Sequence, residues 1–343
     1  KKIKHMETIL IVIIKSAIFI LLFLSASAVL TYVERRVSAF IQDRLGPNRV
    51  GPFGLFQPIA DVIKIIFKEE IIPANADRAL HTIAPIISLF VAYSVFAVLP
   101  LGEKLVIDGK EIKLVVADVN IGFLYILALS SLGVYGVTLS GWSSNNKYSL
   151  LGALRASAQM ISYELSLGLS LVGVVLVSGS IQIDEIIRSQ ANVWNIFYQP
   201  VGFIIFLVSA FAETNRLPFD LTEAEPELVA GYHTEYSGMK FGAFYLAEYT
   251  NIITASLLVS AFYLGGWYFP FFDIYSGMNP NLAGILQVIV FFAKAGFIIF
   301  LFMLVRWTLP RFRYDQLMRL GWQVLLPLAL LNVLITGLVK IIL

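Results

Sequence analysis

A chain of 343 residues that is 58% hydrophobic and only 14% charged, with a mean hydropathy of +0.80, has too little polar surface to fold as a soluble globule. It contains no cysteine, so it cannot hold a thiolate iron-sulfur cluster or a c-type haem, and His5, His81 and His233 are not spaced as a metal pair. The formal net charge of +2 is uninformative, because in a membrane protein the placement of lysine and arginine matters and the total does not.

Apolar runs long enough to cross about 30 Å of hydrocarbon, at roughly 20 residues each, fall near residues 9–33, 81–101, 119–141, 149–178, 195–213, 239–265, 284–306 and 320–342. They predict an all-α polytopic membrane protein, one membrane domain over 1–343 with about eight transmembrane helices. The first run is too long, and too poor in small residues at a cleavage point, for a cleaved signal peptide. After it come Glu34, Arg35 and Arg36, then Gln42, Asp43, Arg44 and Arg49 among the helix breakers Gly46, Pro47, Gly51 and Pro52. Arginines at headgroup level serve by default as anchors, as do Arg306, Arg311, Arg313 and Arg319.

Residues 54–70 set Gln57, Asp61, Lys64 and Lys68 on one narrow face and Phe56, Ile59, Ile63, Ile66 and Phe67 on the rest. Too short and too charged to span, the segment predicts an amphipathic helix in the membrane interface; an ordinary packing helix in a loop is the alternative. Near 103–116, Asp108-Gly109 between short apolar segments predicts a small β-hairpin of structural role. No internal repeat is visible, which weighs against an inverted-repeat transporter.

Four charges lie where lipid is expected: Glu164 in the fourth run, Glu213 at the end of the fifth, Glu248 in the sixth and Lys294 in the seventh. A charge at bilayer depth costs about 2.5 to 3.5 kcal/mol on insertion scales. Ser157, Ala158, Ser162, Ser166 and Gly168 leave room there for close helix approach and water. Glu164, Glu213 and Glu248 make a candidate proton relay; the bland reading of each is a buried ion pair, for instance with Lys294. The connecting segment, about 213–238, adds Asp220, Glu223, Glu225, Glu227 and Glu235 against Arg216 alone. Thr222 and Glu225 have the form of a capping box with Pro226 in the first turn, so Glu223 and Glu225 have a helix-capping alternative. Gly231 and Gly238 are candidate hinges.

With the first helix running outward to inward, inner segments carry fifteen lysines and arginines and outer ones eight. That asymmetry puts both termini outside and the acidic loop inside, within reach of a soluble partner.

The blocks ERRVSAFIQDRLGPNRVGPFGLFQPIADVIKIIFKEE, LRASAQMISYELSLGLSL, AETNRLPFDLTEAEPELVAGYHTEYSGMKFGAFYLAEY and RWTLPRFRYDQLMRLGW closely resemble the membrane-embedded H subunit of the bacterial proton-pumping NADH:quinone oxidoreductases, respiratory complex I, whose mitochondrial counterpart is NADH dehydrogenase subunit 1. The resemblance covers the inner loops and several helices, from Glu34 to about Trp322. It implies a subunit at the junction of the peripheral and membrane arms, in the bacterial inner membrane, that forms much of a quinone channel and couples quinone reduction to proton translocation. Matching quinone-channel positions are Glu34, Arg35, Arg44, Asp61 and Arg306; matching relay positions are Glu164, Glu213, Glu223, Glu225, Glu227 and Glu248. Quinone is then the substrate, and NADH, FMN and the iron-sulfur clusters belong to partner subunits. Partners are the peripheral quinone-site subunits, small membrane subunits and lipid, and no nucleic acid. The alternatives are the homologous subunit of an energy-converting hydrogenase and a freestanding proton-coupled transporter.

Overall fold

The computed structural model describes residues 2–342 except Asp108, residues 221–228, Asp273 and Ser276. Helix α1 runs Lys2–Ile41, eight residues past its expected end, because each charge beyond residue 33 finds a partner. Arg306 bonds Glu34, Asp61 pairs with Arg35 at 2.7 Å, and Arg36 Nη2 donates to Phe53 O at 2.5 Å. The chain then turns through residues 42–56, where a Cβ on Gly54, at φ 79°, would lie 2.3 Å from Pro47 O. Only glycine fits there.

The amphipathic helix α2, Gln57–Ile66, is shorter at both ends than the expected 54–70. Ile59, Ile63 and Ile66 are exposed on it, while Ile65 packs where Gly242 lacks a side chain. Helix α3, Arg78–Ser94, starts at Asp77, whose carboxylate accepts from Ala79 N and Leu80 N. Strands β1, Lys104–Ile107, and β2, Lys110–Lys113, pair antiparallel with Ile107 opposite Lys110, leaving a two-residue turn; Asp108 itself lies outside the described residues. Asn281 holds this hairpin by accepting from Val106 N at 2.7 Å and donating to Val106 O at 2.9 Å.

Helix α4, Gly122–Ser143, packs with α3 on one side and with α5, Lys147–Ser178, on the other through glycine. A Cβ on Gly136 would stand 2.1 Å from Ser88 Oγ, and one on Gly141 would stand 2.3 Å from the Ala153 side chain. The short α6, Ile183–Ser189, and α7, Asn195–Tyr198, lead to α8, Pro200–Glu213. The expected helix over 195–213 is therefore broken at Gln199. Pro200 has no N–H to continue the turn, and the Gln199 amide is tied to Thr336 and Asn332, each at 2.7 Å.

The central helix is α9, Gly238–Phe262, buried on every side from Ile252 to Phe262. Around it stand α10, Pro280–Thr308, and the final pair α11, Tyr314–Arg319, and α12, Leu326–Ile342, joined by a π-helical turn over Leu320–Leu325 beside Tyr163. Six helical stretches among the described residues are long and apolar enough to cross a membrane: Ile9–Ile41, Arg78–Ala97, Gly122–Ser143, Lys147–Ser178, Pro280–Thr308 and Tyr314–Ile342. Two of the eight expected spans depart from that standard. Helix α8 has 14 residues, about 21 Å at 1.5 Å per residue. Helix α9 is long enough but polar, which an interior helix tolerates because its hydroxyls bond their own backbone: Thr254 to Thr250 O, Ser256 to Ile252 O and Ser260 to Ser256 O.

Candidate functional site: a carboxylate network bridged by one arginine

The α8 end turns back at Thr214 and Asn215, and the buried amide of Gln159 on α5 clasps that turn by donating to Ala212 O at 2.8 Å and Phe219 O at 2.9 Å. This clasp aims Arg216 into the bundle, where the residue is only 7% exposed. Its Nη2 lies 3.3 Å from Glu248 Oε2 on α9, its Nη1 lies 3.9 Å from Glu34 Oε1 on α1, and its guanidinium sits 4.5 Å from the ring centre of Tyr249. Glu34, itself buried, also takes the Arg306 bond and the Tyr249 hydroxyl at 2.6 Å. Glu248 takes the Tyr232 hydroxyl at 2.8 Å. Glu34 and Glu248 thus each have an opposite charge and at least one hydrogen bond, the condition under which such groups are tolerated, whereas Arg216 Nε and Nη2 make no hydrogen bond among the described residues and the guanidinium holds its carboxylates as ion pairs.

Two cavities flank this pair. One, of about 80 Å³, is walled mainly by apolar side chains such as Val91, Ile126, Leu171 and Phe206, with Ser130, Glu213, Thr214, Asn215, Tyr232, Glu248, Asn251 and Thr254 among its lining. At roughly 10–15 Å³ per water it accommodates a short chain of them among polar partners. The other, of about 10 Å³, is lined by Glu34, Arg216, Tyr249 and Arg306 with Leu30, Ile252, Phe302 and Met303. The Arg216–Glu248 ion pair separates the two.

Residues 229–237 reach the site from the acidic loop. A Cβ on Gly152 of α5 would lie 2.7 Å from Gly231 Cα, so the loop backbone sits directly on the helix. Ser149 donates to Tyr232 O at 3.1 Å, Asn146 donates to Glu235 at 2.6 Å, and Tyr236 stacks on His81 with ring centres 4.0 Å apart. Burial pushes the Tyr236 phenol up to about 12, so it stays a neutral hydroxyl beside Ser143. Asp220 meets Arg311 at 3.1 Å, and Phe312 N donates to Pro218 O, which pins the loop to the segment between α10 and α11.

Of the expected quinone-channel residues, Glu34 and Arg306 join in the buried network. Arg35 and Asp61 pair with each other nearer the surface, with Gln57 donating to Asp61 at 3.0 Å. Arg44 is exposed and donates to Gln42 at 2.7 Å, apart from the network. Of the expected relay residues, Glu213 and Glu248 face one cavity. Glu164 sits at the α4–α5 crossing, bonded by Ser131 and by Ser130 at 3.3 Å. Glu223, Glu225 and Glu227, with the capping box at Thr222, lie outside the described residues.

Lys294 does not pair with a glutamate among the described residues. It donates to Leu264 O at 2.7 Å and Tyr268 O at 2.6 Å and faces the rings of Trp194 and Phe269. Backbone carbonyls just beyond the end of α9 are stronger local attractors for it than any distant carboxylate. The described residues contain no group of three or more His, Cys, Asp or Glu side chains able to hold a metal. Sequence reasoning passed over Arg216, Tyr232, Tyr249 and Ser130 as site residues. The signal for Arg216 was its isolation, one cation in an otherwise acidic connection; a lone tyrosine or serine on a membrane helix carries no such signal.

This arrangement defines a helical membrane protein whose interior holds a network of carboxylates bridged by one arginine. The chain matches the family model described as NADH dehydrogenase over residues 14–337. It is 55% identical over 308 residues to the first of the NADH-quinone oxidoreductase H subunits of Cytophaga hutchinsonii, covering 90% of each chain. It is 52% identical to the first of the NADH-quinone oxidoreductase H subunits of Geobacter metallireducens over 94% of each chain, and 52% identical to NADH-quinone oxidoreductase subunit 8 of Rhodothermus marinus over 92% of this chain and 93% of that one. The chain belongs to the family of NADH-quinone oxidoreductase H subunits, which are membrane components of complex I. That membership sets aside the hydrogenase-subunit and freestanding-transporter readings.

Proposed function

We propose that this chain forms the membrane wall of a quinone channel on the Glu34 side of Arg216 and passes the charge change of quinone reduction to a proton chain on the Glu248 side. The observation that carries this reading is the sharing of Arg216 between Glu34 and Glu248, with one cavity lined by both Glu248 and Glu213. Reduction of a quinone to quinol consumes two electrons and two protons. The electrons arrive from NADH through FMN and iron-sulfur clusters on partner subunits, since this chain has no cysteine to hold a cluster. A charge change beside Glu34 shifts Arg216 between its two carboxylates. The carboxylate that loses the cation binds a proton more readily, and water in the cavity hands that proton between Glu248 and Glu213. Arg35, Asp61 and Arg44 act at the entrance, and the acidic loop docks the peripheral subunits. The lysine and arginine asymmetry supports a place in the bacterial cytoplasmic membrane with both termini on the periplasmic side.

The test is Glu213→Gln and Glu248→Gln in the assembled complex. Each keeps side-chain volume and removes the titrating charge. Assembled complexes with reduced quinone-coupled turnover and reduced proton pumping are expected, and wild-type pumping in both would remove the proton chain from this reading.

A further inference from the structure

We propose that the Ser130 hydroxyl carries protons between Glu164 and Glu213, while its neighbour Ser131 only positions Glu164. The inference rests on the proton-chain reading above and extends it to a residue that has no charge of its own. Helix α4 presents the two serines side by side where it crosses α5. Ser131 Oγ bonds Glu164 Oε1 on the exposed side of α4, with Leu127 O at 3.1 Å. Ser130 Oγ lies 3.3 Å from the same Glu164 oxygen and 3.3 Å from Leu127 O. On its other side it lines, together with Glu213, the cavity that continues to Glu248.

Glu164 is not among the residues that line that cavity. Ser130 bonds Glu164 and faces the cavity that Glu213 also faces, so it is the hydroxyl that joins Glu164 to the rest of the chain. A hydroxyl has one donor hydrogen and two acceptor lone pairs, which suits it to accept from one acid and donate to another. In the step, a protonated Glu164 gives its proton to Ser130 Oγ while the hydrogen already on that oxygen passes, by way of water in the shared cavity, to the Glu213 carboxylate. One O–H bond breaks on Glu164 and one forms on Glu213; the serine ends as it began, and no oxidant or reductant is needed. The reverse transfer uses the same atoms.

The experiment compares Ser130→Ala, Ser130→Thr, Ser131→Ala and Glu213→Gln in the intact complex. The measurements are NADH:quinone turnover, its solvent deuterium isotope effect and complex assembly. A positioned proton-transfer group contributes roughly 10²- to 10⁴-fold, and water admitted to an alanine-sized gap restores part of it, so Ser130→Ala is expected to slow turnover about tenfold. It should also change the isotope effect, which a merely structural serine would not do. Ser130→Thr keeps the hydroxyl and is expected to recover most of the rate, and Ser131→Ala should fall short of the Ser130→Ala defect. If the alanine variant does not assemble, Ser130→Cys, near in size with a weak S–H donor, takes its place. Wild-type turnover and isotope effect in Ser130→Ala or Ser130→Cys, with Glu213→Gln impaired, would overturn the serine link and leave the proton chain standing. Wild-type behaviour in Glu213→Gln as well would overturn both.

Discussion

Arg216 and Lys294 are both cations inside a membrane bundle, and the molecule satisfies them in opposite ways. Arg216, at the acidic-loop end, lies between two carboxylates that come from helices far apart in the chain. Lys294, at the hairpin end, bonds two backbone carbonyls and sits 4.4 Å from the Trp194 ring centre and 5.0 Å from that of Phe269. Lys15 and Lys340 follow the second pattern, donating to Lys113 O and to Val177 O. Carboxylates titrate and amide carbonyls do not. A cation held by carboxylates can therefore be released or recaptured when a proton moves, whereas one held by carbonyls is an inert clamp. The Arg216 region has the chemistry of a switch and the Lys294 region has the chemistry of a fastener.

The sharpest way to break this contrast is Arg216→Met. It leaves Glu248 buried with the Tyr232 hydroxyl but without its cation, and removing one partner of a buried pair typically costs about 3 to 5 kcal/mol. A lower melting temperature of the complex and loss of quinone-coupled turnover are expected. An assembled variant with wild-type melting and turnover would show that Arg216 bridges nothing of consequence.

Lys294→Met tests the other side. It strands the carbonyl of Leu264, at about 1 to 3 kcal/mol for a buried group left unpaired, while the Tyr268 carbonyl keeps the Trp194 indole N–H at 3.0 Å. Stability of the complex should fall, while turnover and pumping per assembled complex stay within about twofold of wild type, because the residue touches no step of the proposed proton chain. Loss of pumping without loss of stability would erase the distinction between the two cations.

The smallest effect is expected at the surface of the hairpin end, where Lys113 meets Asp118 at 2.5 Å with both side chains more than a third exposed. An exposed pair contributes about 0 to 1 kcal/mol. The Lys113 bond holds the Asp118 carboxyl below the usual carboxylate range, and Asp118 holds the Lys113 ammonium above its own. The acid's contribution is present above its unfolded pKa and lost as pH falls through the folded value; the amine's is present below its unfolded pKa and lost as pH rises through the folded value. The pair is thus constant through neutrality and weakens below about pH 4 and above about pH 10. Asp118→Asn should reduce hydrogen-exchange protection of residues 104–113 by about fivefold at most, with the wild type approaching the variant only at those extremes. Equal weakening between pH 5 and 9 would mean that other groups hold the hairpin.

Much of this molecule was legible from its residues, for a physical reason. Transfer of a side chain from water to hydrocarbon depends on that side chain, so apolar runs marked eight spans without reference to their neighbours, six of which are helical stretches long and apolar enough to cross a membrane. The Asp108-Gly109 pair marked the hairpin because turn geometry is set within four residues, and Glu164, Glu213, Glu248 and Lys294 stood out because charge in an apolar run is locally conspicuous. What only the tertiary structure decided was partnership. Arg216 lies 182 positions from Glu34 in the chain, and nothing between them records that α1 and the end of α8 meet beside α9. The carbonyls that hold Lys294 have no side-chain signature at all, so a sequence in which every residue carries a carbonyl could not say which two would serve. The apolar run at 239–265 made α9 look like an ordinary span with a misplaced glutamate. It is the axis of the bundle, where burial by protein replaces burial by lipid, and that role follows from packing around the helix.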